Sequence, residues 1–254
     1  MKIIIDPRKS VHETAAEYYE KAKQIRKKRQ GLEKAIEDTK KEIELEKKRE
    51  EKAKKEKIEK VRKEKKWFEK FHWFISSGGR LCIGGRSADQ NDLIFKRYME
   101  DADLFFHADI TGGSVVILKN GINASEEERK EAAQAAASFS RGWKMRYASL
   151  DVYSLKKEQL SKHAEGMFVG KGGIAMKGKR EWFKNTPLVV RIGKGKEGLE
   201  IIPDCLKRKL EGEFTLIPGK EKKEKIVNLL SKTFRVHPDE IIELLPPGEI
   251  SIRK

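Results

Sequence analysis

The sequence predicts an α+β protein in which a long N-terminal coiled-coil arm, residues 1–70, precedes a mixed α+β globular domain, residues 71–254. Two observations support this prediction. The first is an apolar pattern of alternating four- and three-residue spacing early in the chain, which is the spacing of a coiled-coil seam. The second is a series of short apolar segments, bounded by glycine-containing turns and interrupted irregularly by helical segments. This second pattern favours α+β over a doubly wound sheet.

The arm opens with signals for a helix N-terminus. Asp6-Pro7 marks a turn, Ser10 is a suitable N-cap, and Glu13 stands where it can complete a capping box. A helix should therefore begin near Val11. The seam that follows consists of Val11, Ala15, Tyr18, Ala22, Ile25, Leu32, Ile36 and Ile43.

The seam gives way to charged residues between Glu44 and Lys52 and resumes out of phase at Ile58, Val61 and Phe68. Two arrangements fit this break: a continuous helix with a slip in its seam, or an antiparallel hairpin. No glycine or proline marks a turn in the stretch, so both remain open, and we favour the hairpin. The aromatic residues of 67–74 are dense enough to require burial, and we expect them to end the helical stretch as its foot on the domain.

The chain is strongly basic. Lys and Arg total 57 against 41 Asp and Glu, which gives a net charge of +16. Residues 21–66 contain 21 of the basic and 11 of the acidic residues, a surplus of ten, so most of the excess lies in the arm. Such an excess attracts polyanions. Nucleic acid is the first expectation, and an anionic membrane surface is the alternative.

Several classes of protein are disfavoured. No apolar run approaches the roughly 20 residues of a membrane span, and no signal peptide is recognisable, so we expect a cytoplasmic protein without a membrane partner. Cys82 and Cys205 make neither a metal-binding set nor a disulfide framework, and we expect no metal or cofactor. Cys82, inside an apolar run, should be a buried small hydrophobe.

The globular part contains predicted helices and strands in irregular order. Helices are predicted at Asp89–Met99, at Glu126–Arg141 after the cap Ser125, at Lys222–Lys232, and briefly after His237. Strands are predicted at Leu81–Gly84, Leu104–Ala108, Ser114–Leu118, Asp151–Ser154, Gly173–Met176, Leu188–Ile192, Leu199–Ile202 and Glu213–Ile217.

Two glycine pairs stand at predicted strand ends. Gly84-Gly85 precedes Arg86, and Gly112-Gly113 precedes Ser114. Flexible loops of this kind can offer backbone N–H groups to a phosphate, and an arginine can clamp one with two hydrogen bonds. Taken singly, each glycine pair is better explained as a tight turn that binds nothing.

A second basic, glycine-rich patch spans Lys171 to Arg180 and is followed by Trp182-Phe183. Lysine and arginine supply phosphate contacts, and aromatic rings can stack on unpaired bases. The alternative is a solvated hairpin whose aromatic residues belong to the core.

His107-x-Asp109 could be a general base with its orienting carboxylate. No serine or cysteine nucleophile is recognisable nearby, and no second ligand stands at metal-binding spacing. A polar contact or a hydrogen-bonded strand end is therefore the preferred interpretation, and we expect no catalytic residue.

Several of these motifs occur together in one order. WFEKFHWFISSGGRLCIGGRSADQNDLIFKRYM, followed by FFHADITGGSVVILKN, resembles the NFACT-R domain, the RNA-binding module of the NFACT family. The matching elements are Trp67–Phe71, Ile83–Arg86, Gln90–Asp92, Lys96–Tyr98, His107–Asp109 and Gly113–Ile117. The GGR and HAD variants are similar to those of the archaeal and eukaryotic branch.

The resemblance implies a role in ribosome-associated quality control. Family members bind large ribosomal subunits that still carry peptidyl-tRNA, and they recruit tRNA so that the stalled chain gains a C-terminal tail without mRNA. Their coiled coil reaches toward the stalk base of the subunit. This chain matches from the middle region of the family onward, so we expect a fragment that binds RNA or ribosomes. Tailing is expected to need the family's N-terminal domains.

We therefore expect an RNA-binding module that is not an enzyme. The residues expected to contact RNA are Arg80, Arg86, Gln90, Asn91, Arg97, His107, Ser114, Lys171, Lys177, Lys179 and Arg180. The expected partners are the large ribosomal subunit, through its RNA and stalk base, and tRNA, with a homodimer as a further option through the coiled coil. The alternatives are a hydrolase of RNA or peptidyl-tRNA that depends on His107 and Asp109, and a coiled-coil scaffold.

Overall fold

The structure, a computed structural model of the 254-residue chain, describes residues 8, 10–61, 66–161 and 173–253. The chain divides into two compact units, Met1–Lys65 and Lys66–Lys254. The first unit is helical, and the second is mixed α+β with antiparallel sheets. The α+β prediction for the globular part is thus confirmed.

The described residues of the N-terminal unit form one helix, α1, from Val11 to Val61. The predicted capping box forms, since the Ser10 amide donates to Glu13 at 2.8 Å and the Glu13 amide donates to the Ser10 hydroxyl at 3.3 Å. The helix continues without a break through residues 44–52, so the favoured hairpin turn is wrong there. Glu, Lys and Ala favour a helix, and residues 44–52 contain no glycine or proline.

The apolar seam of α1 is exposed. The exposed fractions are 66% for Ile25, 64% for Leu32, 54% for Ile36 and 51% for Ile43. Ion pairs one turn apart, such as Arg29 with Glu33 at 3.1 Å, add a few tenths of a kcal/mol each to such a helix. Coiled-coil packing of this seam therefore stays a prediction.

The globular unit is built around a six-stranded antiparallel sheet with the strand order β1-β2-β4-β3-β5-β8. Its strands are β1 His72–Ile75, β2 Leu81–Gly84, β3 Leu104–Ala108, β4 Val116–Leu118, β5 Ser149–Lys156 and β8 Glu181–Pro187. A small ribbon pairs β6 Leu160–Ser161 with β7 Ala175–Met176. A four-stranded sheet of order β10-β9-β11-β12 comprises β9 Val190–Gly195, β10 Gly198–Pro203, β11 Glu211–Glu221 and β12 Ile250–Arg253.

The helices of the globular unit are α2 Ala88–Leu93, α3 Glu126–Ser138, α4 Arg141–Lys144, α5 Lys223–Phe234 and α6 Pro238–Leu244. A π-helix, Ile94–Tyr98, continues α2, and 3₁₀ turns occupy Gly121–Asn123 and Lys157–Gln159. The predicted helix Glu126–Arg141 ends earlier than expected because Ser140 caps a separate turn, its hydroxyl accepting from Gly142 at 3.1 Å.

Four strands, β1, β6, β8 and β12, were not predicted from the sequence. β1 lies in the aromatic segment that was expected to end the helical stretch, and it pairs with β2 instead. β8 is mostly exposed and carries charged residues, β12 has only four residues and β6 only two, so none of the three contains a long apolar run. These strands form through pairing with distant segments, which outweighs their weak local preference.

The six-stranded sheet is buried on both faces. On one face, side chains such as Phe106 and Leu118 pack against the alanines of α3 and against Trp143. On the other face, Phe71, Ile94, Phe105 and Tyr153 share a second apolar cluster. Cys82 is buried as expected, and burial raises the pKa of its thiol well above the ordinary value. Among the described residues, no helix is long and apolar enough to cross a membrane.

Candidate nucleic-acid interface

The globular unit has an open cleft of about 700 Å³ where several loops meet at one end of β2 and β3. The loop after β2, the loop before β4, the start of α4 and a C-terminal turn form most of its walls. The lining residues that matter below are Gly85, Arg86, Asn91, His107, Gly112, Gly113, Ser114, Arg141, Lys144 and Pro247.

The cleft is basic. Arg86, Arg141 and Lys144 all line it, and none of the described residues in its wall is Asp or Glu. Arg141 and Lys144 are exposed, so their charges face solvent. A concave surface lined by one sign of charge concentrates counter-ions of the opposite sign. The cleft is therefore suited to an anionic ligand.

Arg86 is held in place by the surrounding backbone. Its guanidinium donates to the carbonyl of Phe71 at 3.0 Å and to the carboxylate of Glu243 at 3.2 Å. Its backbone amide donates to the side-chain oxygen of Gln90 at 2.9 Å, and the Gln90 amide group donates to the Lys70 carbonyl at 3.0 Å. Burial lowers the pKa of Arg86, and Glu243 opposes that effect. Gln90 thus shapes the loop rather than lining the cleft.

Asn91 and Ser114 fix the first glycine loop. The Ser114 hydroxyl donates to the Gly85 carbonyl at 2.7 Å, and the Asn91 side-chain oxygen accepts from the Val115 amide at 3.2 Å. A Cβ atom on Gly85 would lie 2.1 Å from that Asn91 oxygen. Only glycine fits between these groups, so the pair Gly84-Gly85 has a packing requirement as well as flexibility.

The second glycine loop closes over His107. Gly112 adopts a φ of +85°, and a Cβ on Gly113 would approach the His107 Nε2 to 2.8 Å. His107 also contacts the Tyr153 hydroxyl through Nδ1 at 3.2 Å. Burial lowers the pKa of His107, although hydrogen bonds to the Ala108 and Gly113 backbone and the charge of Asp109 act in the opposite direction. His107 is therefore neutral at neutral pH and is suited to hydrogen bonding.

The predicted base and carboxylate pair does not form in this geometry. Tyr153, and not Asp109, contacts the His107 Nδ1 atom, while Asp109 is exposed and its amide donates to the Asp151 carbonyl at 2.8 Å. Within the described part of the chain, no cluster of three or more His, Cys, Asp or Glu could hold a metal ion. The hydrolase alternative thus loses the orienting contact on which it depended.

Sequence analysis missed Arg141 and Lys144. The Arg141 amide donates to the Gly112 carbonyl at 3.2 Å, which ties α4 to the second glycine loop. A Cβ on Gly248, whose φ is +105°, would lie 2.9 Å from the Lys144 Cα, so the C-terminal turn packs closely on α4. A Ser-Arg-Gly break at the end of an alanine-rich helix was the available signal.

Arg80 lies outside the cleft and has internal partners. Its guanidinium donates to the Glu128 carboxylate at 2.7 Å and to the carbonyls of Asn123 at 2.8 Å and Asn120 at 3.2 Å. Burial disfavours the charge of Glu128, but hydrogen bonds from Ser76, the Ser125 amide and Arg80 outweigh it and lower the Glu128 pKa to about 2. This arrangement makes Arg80 a structural residue in our interpretation.

The remaining predicted residues lie elsewhere. Arg97 is exposed on the π-helix and does not line the cleft. Lys171 falls outside the described residues. Lys177 and Lys179 are exposed, and their backbone carbonyls accept from the Gln159 side chain at 3.3 and 2.8 Å. The Arg180 guanidinium lies over the Tyr153 ring, 4.5 Å from its centroid.

Comparison with known proteins bears on this region directly. Residues 70–178 match the sequence model of the family described as NFACT protein RNA binding domain. The matched range contains every cleft residue named above except Pro247.

Related proteins extend the match. The archaeal Rqc2 homolog aRqcH of Methanocaldococcus jannaschii is 38% identical over 199 residues, which cover 74% of this chain and 30% of that protein. The ribosome quality control complex subunit NEMF homolog of Drosophila melanogaster is 39% identical over 129 residues, covering 50% of this chain and 13% of that protein. Ribosome quality control complex subunit 2 of Schizosaccharomyces pombe is 34% identical over 131 residues, which cover 50% of this chain and 13% of that protein.

The chain thus spans less than a third of the length of these relatives. The basic cleft lies within the matched RNA-binding region, and the resemblance seen in the sequence motifs is confirmed. The chain belongs to the NFACT family.

Proposed function

We propose that this chain is the RNA- and ribosome-binding module of a ribosome-associated quality control factor. The observation that carries the proposal is the cleft of Arg86, Arg141 and Lys144, which has no acidic residue among its described lining and lies in the region matched to an RNA-binding domain. The names of the relatives, which refer to ribosome quality control, supply the ribosomal context.

The cleft is suited to the sugar–phosphate backbone. Arg141 and Lys144 present exposed cations at the rim, while Arg86 is fixed by contacts with Phe71 and Glu243. Arginine can grip a phosphate with two parallel hydrogen bonds, whereas lysine acts as a point charge. Contacts of this kind position RNA without reading its sequence. We therefore expect weak sequence preference.

The finer role follows the family resemblance. We propose that the parent factor binds large ribosomal subunits obstructed with peptidyl-tRNA, in the cytoplasm, and recruits tRNA for C-terminal tailing. In this proposal the module contributes binding and no catalysis. The net charge of +16 supports a polyanionic partner such as ribosomal RNA or tRNA.

Helix α1 is assigned a separate task. Its basic surplus and its exposed seam support a coiled coil that reaches toward the stalk base of the subunit and pairs with a second copy of the chain. Burial of apolar surface in such a seam provides the driving force, at about 25 cal/mol per Å².

The test is binding of tRNA and of purified large ribosomal subunits, measured across a salt series. Wild-type affinity should fall at least about tenfold from low to moderate salt, because several phosphate contacts release counter-ions. The double variant Arg141→Gln, Lys144→Gln should bind about tenfold more weakly while its melting temperature is unchanged.

A matched control replaces two exposed lysines away from the cleft, Lys130→Gln and Lys225→Gln, which removes the same charge. Equal losses in both double variants would contradict a role for the cleft. Absence of wild-type binding to both tRNA and subunits, or affinity that does not change with salt, would overturn the proposed function itself.

A further inference from the structure

We propose that Trp182, exposed on the edge strand β8 and packed beside the buried Tyr153 ring of β5, forms a stacking platform for an unpaired RNA base near the phosphate-binding cleft. The inference rests on the proposed function, since it specifies which form of RNA the module prefers. It concerns a site that extends beyond residue 178, where the family match ends.

A row of rings leads from the cleft to the edge of the sheet. His107 on β3 pairs in register with Tyr153 on β5, and Tyr153 pairs with Trp182 on β8, so the three side chains share one face. The Tyr153 hydroxyl lies 3.2 Å from His107 Nδ1, and the Tyr153 and Trp182 ring centroids are 5.4 Å apart. Two strand spacings, about 10 Å, separate the cleft wall from Trp182.

Trp182 is not required by the core below it. Alternate residues of a strand face opposite sides, and it is the neighbouring Phe183 that packs into the core with Phe106, at a centroid distance of 5.7 Å. Trp182 keeps 39% of its surface exposed on an edge strand. A large exposed ring beside a basic cleft is the arrangement that single-strand-binding surfaces use.

Positive charge flanks the ring on both sides along β8. Arg180 lies 5.8 Å from the Trp182 ring centroid, and the Lys184 ammonium lies 4.2 Å from it. The Asp151 carboxylate on this face forms an ion pair with the Lys184 ammonium at 2.7 Å. A base entering over Trp182 would displace the Lys184 ammonium from the ring toward the adjacent phosphate, where its charge remains useful.

The geometry points to unpaired rather than duplex RNA. Bases inside a helix are already stacked, and only splayed bases in loops or single strands can lie on an aromatic side chain. A short stretch of RNA backbone would connect the phosphates bound by the cleft cations to the base stacked on Trp182. The platform would accept any base, since each offers a π-face.

The experiment compares a short labelled single-stranded RNA with the same strand annealed to its complement, by fluorescence anisotropy on the full chain. Trp182→Ala should weaken single-strand binding about tenfold and change duplex binding less than twofold. Trp182→Phe, which keeps a ring, should recover most of the loss. Trp67→Ala removes another exposed tryptophan, which is 45% exposed and far from Trp182 in the sequence. This variant should leave single-strand binding unchanged. Melting temperatures report whether each variant is folded.

The outcomes separate this inference from the proposed function. Salt-dependent RNA binding that is weakened by the Arg141 and Lys144 substitutions but not by Trp182→Ala would overturn the platform and leave the module standing. If Trp182→Phe weakens single-strand binding as much as Trp182→Ala does, the platform is also overturned, because an aromatic ring at this position would then not support binding. No binding of either RNA by the wild type would overturn both.

Discussion

Helix α1 and the globular unit use charged and apolar residues in opposite ways. In α1 the seam residues Ile25 and Leu32 remain 66% and 64% exposed, and the sequence places most of the basic surplus in residues 21–66. In the globular unit, apolar residues fill two cores, and several basic residues are bound internally. The described part of the first unit therefore exposes apolar residues along the helix, whereas the second unit buries most of its apolar residues and exposes cations at selected points.

The comparison shows that a count of basic residues does not identify the binding ones. Arg191, only 8% exposed, is paired with Asp204 and Glu213, and Lys119 is paired with Asp103 at 2.6 Å. These cations stabilise the fold and have little charge left for a partner. Net charge predicts an anionic partner, but pairing decides which residues meet it.

The largest expected effect concerns an internally paired cation. Arg80→Leu would leave the buried Glu128 carboxylate without its ion pair, so the free energy of unfolding should fall by about 3 kcal/mol. Urea denaturation measures this change. Arg97→Leu, at an exposed site, is the control and should change stability by less than about 0.5 kcal/mol. Similar losses for both variants would contradict the structural role of Arg80.

The second prediction concerns the exposed seam of α1. If the seam pairs with a second copy, Leu32→Asp should convert a dimer to a monomer in sedimentation velocity, with a loss of about 2 kcal/mol per buried leucine. Gln30→Asp adds the same charge off the seam and should preserve the dimer. A wild-type chain that sediments as a monomer at every concentration would contradict pairing with a second copy.

The third prediction concerns a pH dependence of stability that arises in the globular unit. Burial lowers the pKa of His107 and, more strongly, of His72, where the charges of Arg86 and Lys223 act in the same direction. Below about pH 6.5 these histidines therefore bind protons in the unfolded chain but remain neutral in the folded chain. The free energy of unfolding should fall between pH 6.5 and 5, by at most about 1.4 kcal/mol per histidine per pH unit.

Denaturation at a series of pH values checks this slope. His72→Phe should reduce it, because the substitution removes a buried titrating group. His237→Gln serves as the control, since that histidine is exposed. A stability that is constant or rises as the pH falls through this range would contradict the assignment. Glu128 loses its stabilising charge only at lower pH, as its pKa of about 2 indicates.

The sequence allowed prediction of the elements with strong local signals. The capping box at Ser10, the helix after Ser125 and strands β2 and β3 all appear where their patterns place them. The motif order also indicated the family, and Arg86, Asn91, His107 and Ser114 do meet in one cleft. Local patterns sufficed because caps and glycine turns depend on neighbouring residues.

Other features depended on distant contacts. β1 and β8 form because β2 and β5 are available to pair with them. Arg141 lines the cleft because its amide donates to the Gly112 carbonyl in the second glycine loop. Arg80 lies outside the cleft, where its guanidinium is bound by Glu128 and two backbone carbonyls. The residues adjacent to Arg80 do not indicate its partners, and the only local signal for Arg141 is the Ser-Arg-Gly break at the end of α3.

By itself, the sequence determined the basic character of the protein, the helix start after Ser10, the α+β class of the globular unit and membership of the NFACT family. Tertiary structure alone decided which cations are paired and which face solvent. It also placed His107, Tyr153 and Trp182 in one row. The physical reason is strand register: it joins residues far apart in the chain and assigns each side chain to a face, and local composition does not encode either outcome.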